Sequence, residues 1–130
     1  MLRKIVFNTR DQLTTIDPSL VAAVQADGNY SRVFYINKRE ISLTTSISKV
    51  EEILKANAGR QNRFIRLNRS IIVNHSFLHK IDLQRELLIL TDGSKGELRL
   101  NLSKKTLKSY KEAVIQSIKI KNSHEKNNIG

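Results

Sequence analysis

The chain has no cysteine and no tryptophan, a single proline, and only three tyrosines and four phenylalanines in 130 residues. Without cysteine it has no disulfide framework, no thiolate zinc site and no cysteine nucleophile. With so few rings, several of them at core-facing strand positions, little is left to stack on unpaired bases, as single-strand binders do. The five glycines fall mostly where turns need them and make no phosphate-cradling loop of the dinucleotide or P-loop kind. Long apolar runs are missing too. No stretch approaches the roughly 18 apolar residues of a membrane helix, and the start, Met1 to Phe7, meets Asn8 and Arg10 too soon for a signal-peptide core. A cytoplasmic protein with no membrane insertion is expected.

Acidic residues are the other scarcity. Twelve Asp and Glu stand against 23 Lys and Arg, a net charge of +11. Between Glu52 and Asp82 there is no acid at all, while Lys55, Arg60, Arg63, Arg66, Arg69 and Lys80 lie inside that span. A second basic cluster follows at Lys104, Lys105, Lys108 and Lys111. Such a field attracts phosphate polymers or anionic lipid surfaces. A solvated basic surface kept for solubility would carry the same charge. The 39% of apolar residues can fill one core but not two, so one compact domain is expected.

Most of the chain reads as short strands of period-two alternation, a mostly-β fold. The first runs from Arg3 to Phe7 and the second from Gln12 to Ile16, before the Asp17-Pro18 turn. Leu20 to Gln25 is a mostly apolar run suited to a buried strand, and Asp27-Gly28-Asn29 favours a hairpin into Arg32 to Ile36. Asn37-Lys38 turns the chain into Glu40 to Thr44. Ser48 and Glu51 have capping-box spacing, and Val50, Ile53 and Leu54 share one face, which predicts a helix over Ser48 to Asn57 ended by Gly59. Strands resume at 64–67, 71–73, 78–82 and 86–91, and Asp92-Gly93 turns into a last strand at 96–102. Ser103 caps a second helix in which Leu107, Tyr110, Val114 and Ile118 recur at helical spacing and Lys104, Lys108 and Lys111 line another face. Residues 1–119 form the expected domain, and 120–130, without periodic apolar residues, the expected disordered tail.

Catalysis needs a positioned acid, base, nucleophile or metal, and the sequence offers little. His75 and His79 stand four apart, as helical zinc ligands would, but no glutamate follows His75 and no third ligand is near. No metal, no cofactor and no enzyme activity are expected. Duplex binding, by contrast, needs Lys and Arg on phosphates plus a few Arg, Asn or Ser side chains that reach base edges. Such residues stand in the turns and at the strand ends of this chain.

The most suggestive run is Phe64-Ile65-Arg66-Leu67-Asn68-Arg69-Ser70-Ile71-Ile72-Val73-Asn74. It resembles the signature of the LytTR family of bacterial DNA-binding domains: Phe-x-Arg-x-His-Arg-Ser, a hydrophobic pair, then Val-Asn. The resemblance extends to Gln25-Ala26-Asp27-Gly28-Asn29-Tyr30, Thr45-Ser46-Ile47, Thr91-Asp92-Gly93 and Leu102-Ser103-Lys104, and covers roughly residues 3–118. It implies about ten short strands in small antiparallel sheets with two short-to-medium helices, and loops rather than a recognition helix in successive major grooves. It also implies a transcriptional regulator that binds direct-repeat promoter sites as a dimer on double-stranded DNA. By position, the first DNA loop is Tyr30-Ser31-Arg32, the second Asn68-Arg69, with Arg66 beside it, and the third Ser103-Lys104-Lys105.

Asn68 stands where the family pattern has histidine; its amide can still pair with adenine, so the preference at that base pair should differ. Most relatives carry a phosphoacceptor receiver domain first. Here the strands begin almost at Met1, which favours a separate small regulator over an excised output domain. Arg66 has two readings, as a DNA contact or as a structural residue bonded to turn carbonyls. Ser70 and Asn74 fit backbone bonding better than DNA contact. Lys104 and Lys105 sit at a helix start, where the dipole disfavours cations unless phosphate neutralises them. Two other classes share the charge: a module for structured RNA or the ribosome, and a protein-interaction domain controlled by a membrane sensor.

Overall fold

In the computed structural model, which describes residues 4–58 and 63–129, ten strands form three small antiparallel sheets with two helices, as the mostly-β expectation requires. Strands β1 (Ile5–Asn8) and β2 (Leu13–Ile16) make a two-stranded ribbon. Strands β3 (Val21–Asp27), β4 (Tyr30–Tyr35) and β5 (Glu40–Leu43) form a meander, and helix α1 (Ile47–Ala58) follows. The hairpin of β6 (Phe64–Asn68) and β7 (Ile71–Asn74) joins the meander through β7, giving a five-stranded sheet in the order β5-β4-β3-β7-β6. Strands β8 (Leu78–Asp82), β9 (Leu87–Thr91) and β10 (Glu97–Asn101) form the third sheet, and helix α2 (Lys104–Ile129) closes the chain.

The five-stranded sheet is a middle layer with a core on each face. Val24, Val33 and Ile72 face α1 and the ribbon, meeting Ile5, Phe7, Ile16, Val50 and Leu54. Ala23, Ile71 and Val73 face the other way, onto Leu88, Leu90, Leu107 and Tyr110. Side chains alternate between the faces of a strand, so a strand covered on both sides must be apolar at every position. That explains why β3 opens Val-Ala-Ala-Val and β7 reads Ile-Ile-Val, while the outer β10 alternates Leu98 and Leu100 with exposed Glu97, Arg99 and Asn101. At the β3–β4 turn Gly28 takes a φ of +62°, the left-handed value the Asp-Gly-Asn signal called for.

Three local expectations change. The first helix is capped by Ser46, whose carbonyl accepts from the Val50 N–H at 2.9 Å and whose hydroxyl accepts from the Lys49 N–H at 3.4 Å. Starting there puts Ile47 on the core face with Val50 and Leu54, and it frees Glu51 from the capping role Ser48 would have given it. A short 3₁₀ turn, His75–Phe77, was not anticipated. Asn74 builds it: the side chain accepts from the Ser76 N–H and hydroxyl and donates to the Val21 carbonyl, so both polar atoms of this buried amide are bonded to structure. Finally, α2 continues as helix to Ile129, past residue 120 where the sequence reading began a tail; no proline or glycine precedes Gly130 to stop it. Its first turns pack. Leu107, Tyr110 and Val114 meet the core, whereas Ile118, expected on the same face, is 51% exposed because the helix has passed the edge of the sheets. The proposed start at Arg3, the stop at Gly59 and the cation Arg60 lie outside the described residues.

Tyr110 carries a testable consequence. Its hydroxyl lies 2.7 Å from His75 Nδ1, and burial pushes the phenol up to about 12. The folded state thus favours the neutral phenol, so this contribution is complete below the ordinary value of 10 and is lost as pH rises from there towards 12. Thermal unfolding of wild type and Tyr110→Phe across that range should show a smaller alkaline fall in Tm for the variant.

Candidate nucleic-acid interface

Three segments far apart in sequence meet at one end of the five-stranded sheet. The β3–β4 turn is joined to the β6–β7 turn by a bond from the Ala26 N–H to the Ser70 carbonyl at 2.8 Å. The β6–β7 turn reaches the start of α2 through Asn68 Nδ2, 3.4 Å from Thr106 Oγ1. The start of α2 is in turn held to the β8–β9 turn, where the Lys104 N–H donates to Glu86 Oε2 at 3.2 Å and the Leu102 N–H to the Glu86 carbonyl at 3.1 Å. Ser103 caps the helix as expected, its hydroxyl accepting from the Thr106 N–H at 3.2 Å.

The β6–β7 turn owes its shape to Arg66. Its Nε donates to the Asn68 carbonyl at 2.7 Å, one terminal nitrogen to the Arg69 carbonyl at 2.7 Å, and the other to Glu51 Oε1 of α1 at 2.8 Å. A β-bulge lies between Arg66, opposite Ile72, and Asn68, opposite Ile71. The extra residue turns Arg66 towards α1 and Asn68 towards α2 on the other face. Asn68 Oδ1 accepts from the Ser70 N–H at 2.7 Å, which tightens the turn. Burial alone would raise the Glu51 carboxyl, but the bonds and charges of Lys55 and Arg66 outweigh it and hold it below the usual carboxylate range.

The sequence candidates therefore separate. Asn68, Arg69, Lys104 and Lys105 are exposed and gathered at this end. The Arg69 guanidinium and the two lysine ammonium groups make no hydrogen bond or ion pair among the described residues. Arg32 lies in the same cross-sheet row, Arg32–Gln25–Ile71–Asn68, but is partly engaged: it pairs with Glu40 and its guanidinium carbon sits 5.4 Å from the Phe34 ring centre. Two candidates are less available to a ligand than their positions in the chain suggest. Ser31 is wholly buried, with its hydroxyl 2.6 Å from the Thr45 carbonyl, so it has no surface to offer a ligand. Arg66 donates once from each of its three guanidinium nitrogens to the turn and to Glu51, which favours the structural one of its two readings. Tyr30, next to Ser31 in the chain, is 55% exposed at the hairpin tip. Glu86, which anchors the third loop at a φ of +51°, was missed, and its contact with Lys104 spans too much sequence for any local pattern to signal. His75 is engaged with Tyr110, and His79 lies on β8, so the pair does not share a helix face.

Among the described residues, exposed cations are carried on turns and one helix start of a β-built module, an arrangement suited to a polyanion. The profile of the LytTr DNA-binding domain matches residues 11–115, and the chain belongs to this family, a family of DNA-binding domains and not of enzymes. Its fold is similar to that of a solved LytTr DNA-binding domain from a Bacillus cereus protein described as a methyl-accepting/DNA response regulator. The TM-score is 0.57 at 20% identity, covering 85% of this chain and 95% of that one. No curated protein matches the chain. Among the described residues no helix is long and apolar enough to cross a membrane.

Proposed function

We propose that the chain is a cytoplasmic transcriptional regulator that binds double-stranded DNA sequence-specifically, with loop side chains in the major groove. Residues 1–119 are the binding unit. The observation that carries this reading is Arg69, whose guanidinium has no partner among the described residues, at the tip of a turn that is itself rigidly held, beside Asn68, whose amide nitrogen is only lightly bonded. Rigid placement of an arginine fork and an amide is what recognition of base edges requires, the fork on guanine and the amide on adenine. Lys104, Lys105 and the free side of Arg32 lie where phosphates of the same duplex would pass, fixing register. Two copies bind a direct-repeat site, one on each repeat, as a dimer on DNA.

Selection of bound sites from a randomised duplex pool tests this. Wild type should enrich two spaced repeats. Arg69→Ala and Asn68→Ala should each lose about 1–3 kcal/mol of discrimination at one base pair. Lys104→Ala should weaken all sequences alike and reduce the salt slope by about 1. Enrichment of no motif, with RNA duplex competing as well as DNA, would replace this reading by one of structured-RNA binding. Absence of any duplex binding at low salt would point to a protein partner.

A further inference from the structure

The opposite end of the β6–β7 hairpin holds a cavity of about 380 Å³. Paired residues Phe64 and Asn74 mark the open end of the hairpin and both line this cavity, while Asn68 to Ser70 close the other end. Four residues of strand separate the two, about 13 Å. The volume lies in the lower part of the roughly 300–1,000 Å³ range of small-ligand sites. Leu54, Phe64 and Phe77 give the cavity an apolar wall. The amide of Asn74 is already bonded to Val21 and Ser76, so the inner polar surface does not demand water.

Charge narrows the occupant. Among the described lining residues none is acidic, and the one that carries a charge is Arg63. Its guanidinium makes no hydrogen bond or ion pair among the described residues. Its backbone is nevertheless fixed, since the Arg63 carbonyl accepts from the His75 N–H at 2.7 Å. A guanidinium carried on an anchored backbone at an apolar hollow, unpaired among the described residues, suits a molecule with one anionic end and a small apolar body.

We propose that this cavity binds a small amphipathic carboxylate, its apolar body against Leu54, Phe64 and Phe77 and its carboxylate on Arg63. The site is separate from the loops at the other end of the sheet, and ligand and duplex have no surface in common. The assignment stands whether or not the chain reads DNA.

Amide NMR spectra of the full chain titrated with phenylacetate, its neutral analogue phenylacetamide, and octanoate provide the test. Phenylacetate or octanoate should produce saturable shifts at Phe64, Ser76 and Phe77. Arg63→Gln should keep the parent spectrum elsewhere, weaken the carboxylate by about tenfold, and leave phenylacetamide binding as it was. Shifts that gather instead at Arg69, Lys104 and Lys105 would mean general attraction of an anion to a basic protein, and the site would be withdrawn. So would equal carboxylate affinity in Arg63→Gln, or no saturable shift with either acid.

Discussion

Arg66→Ala should destabilise the chain by about 2–3 kcal/mol and weaken duplex binding as well, without Arg66 touching the duplex. The guanidinium ties together two carbonyls of the β6–β7 turn and a carboxylate of α1. Bonds to a charged group contribute about 1.5–3 kcal/mol each when well buried. Here both ends of the ion pair keep about a fifth of their side-chain exposure, so water and Lys55 recover part of the loss. Arg66→Lys restores the charge but not the planar fork, so it should remain close to the alanine variant. Urea unfolding with an unchanged m-value measures the first effect, and titration of a selected duplex the second. Stability within about 0.5 kcal/mol of wild type, combined with lost preference at a single base pair, would show instead that Arg66 reads DNA directly. Acid adds an independent check. Because the folded Glu51 carboxyl lies below 4.5, its contribution is present above that value and is lost as pH falls through the lowered one. Arg66→Ala should make that acid loss smaller.

The second large effect belongs to Leu107. It is fully buried at the first turn of α2, among Leu88, Leu90 and Tyr110. Leu107→Ala should cost about 3–4 kcal/mol, the transfer of the lost methyl groups plus a cavity that a β-sheet floor fills poorly. For a chain of this length that corresponds to a fall in Tm of about 10–15 °C. The contrast is Ile115→Ala on the same helix, which should stay within about 0.5 kcal/mol because Ile115 is 40% exposed. A small Leu107 effect would mean that the start of α2, and with it Lys104 and Lys105, is not anchored by this contact.

What the sequence revealed follows the range of the interactions involved. Period-two patterns, Asp27-Gly28-Asn29 and Asp92-Gly93 located the strands and two of their turns, because these depend on residues adjacent in the chain. Arg69 and the lysines were legible as unpaired cations, since nothing local could neutralise them. Ser31 entered the first loop only by its position in the resemblance, and nothing local to it signals burial. Only the pairing of β4 with β5 reveals that its hydroxyl is covered by the backbone of Thr45. Arg66 was ambiguous for a similar reason: one of its two explanations required Glu51, on an element whose cap the sequence placed two residues late. Glu86 left no trace at all, because its partner is eighteen residues on, at the start of a different element.

The strand order β5-β4-β3-β7-β6 also sets when the loop end can exist. The meander and α1 can form from near neighbours, but β3 acquires its second partner only when Val73 returns to Ala23. Closing that long a segment costs entropy before any of the new contacts form. Until then the Ala26–Ser70 bond is absent and the β6–β7 turn has nothing beside it. The start of α2, which steadies that turn through Thr106, comes later still in the chain. A ribosome-bound chain that has emerged only through α1 would therefore have a sheet but not the gathered loop end, and the three loops would come together only in the closing steps of folding.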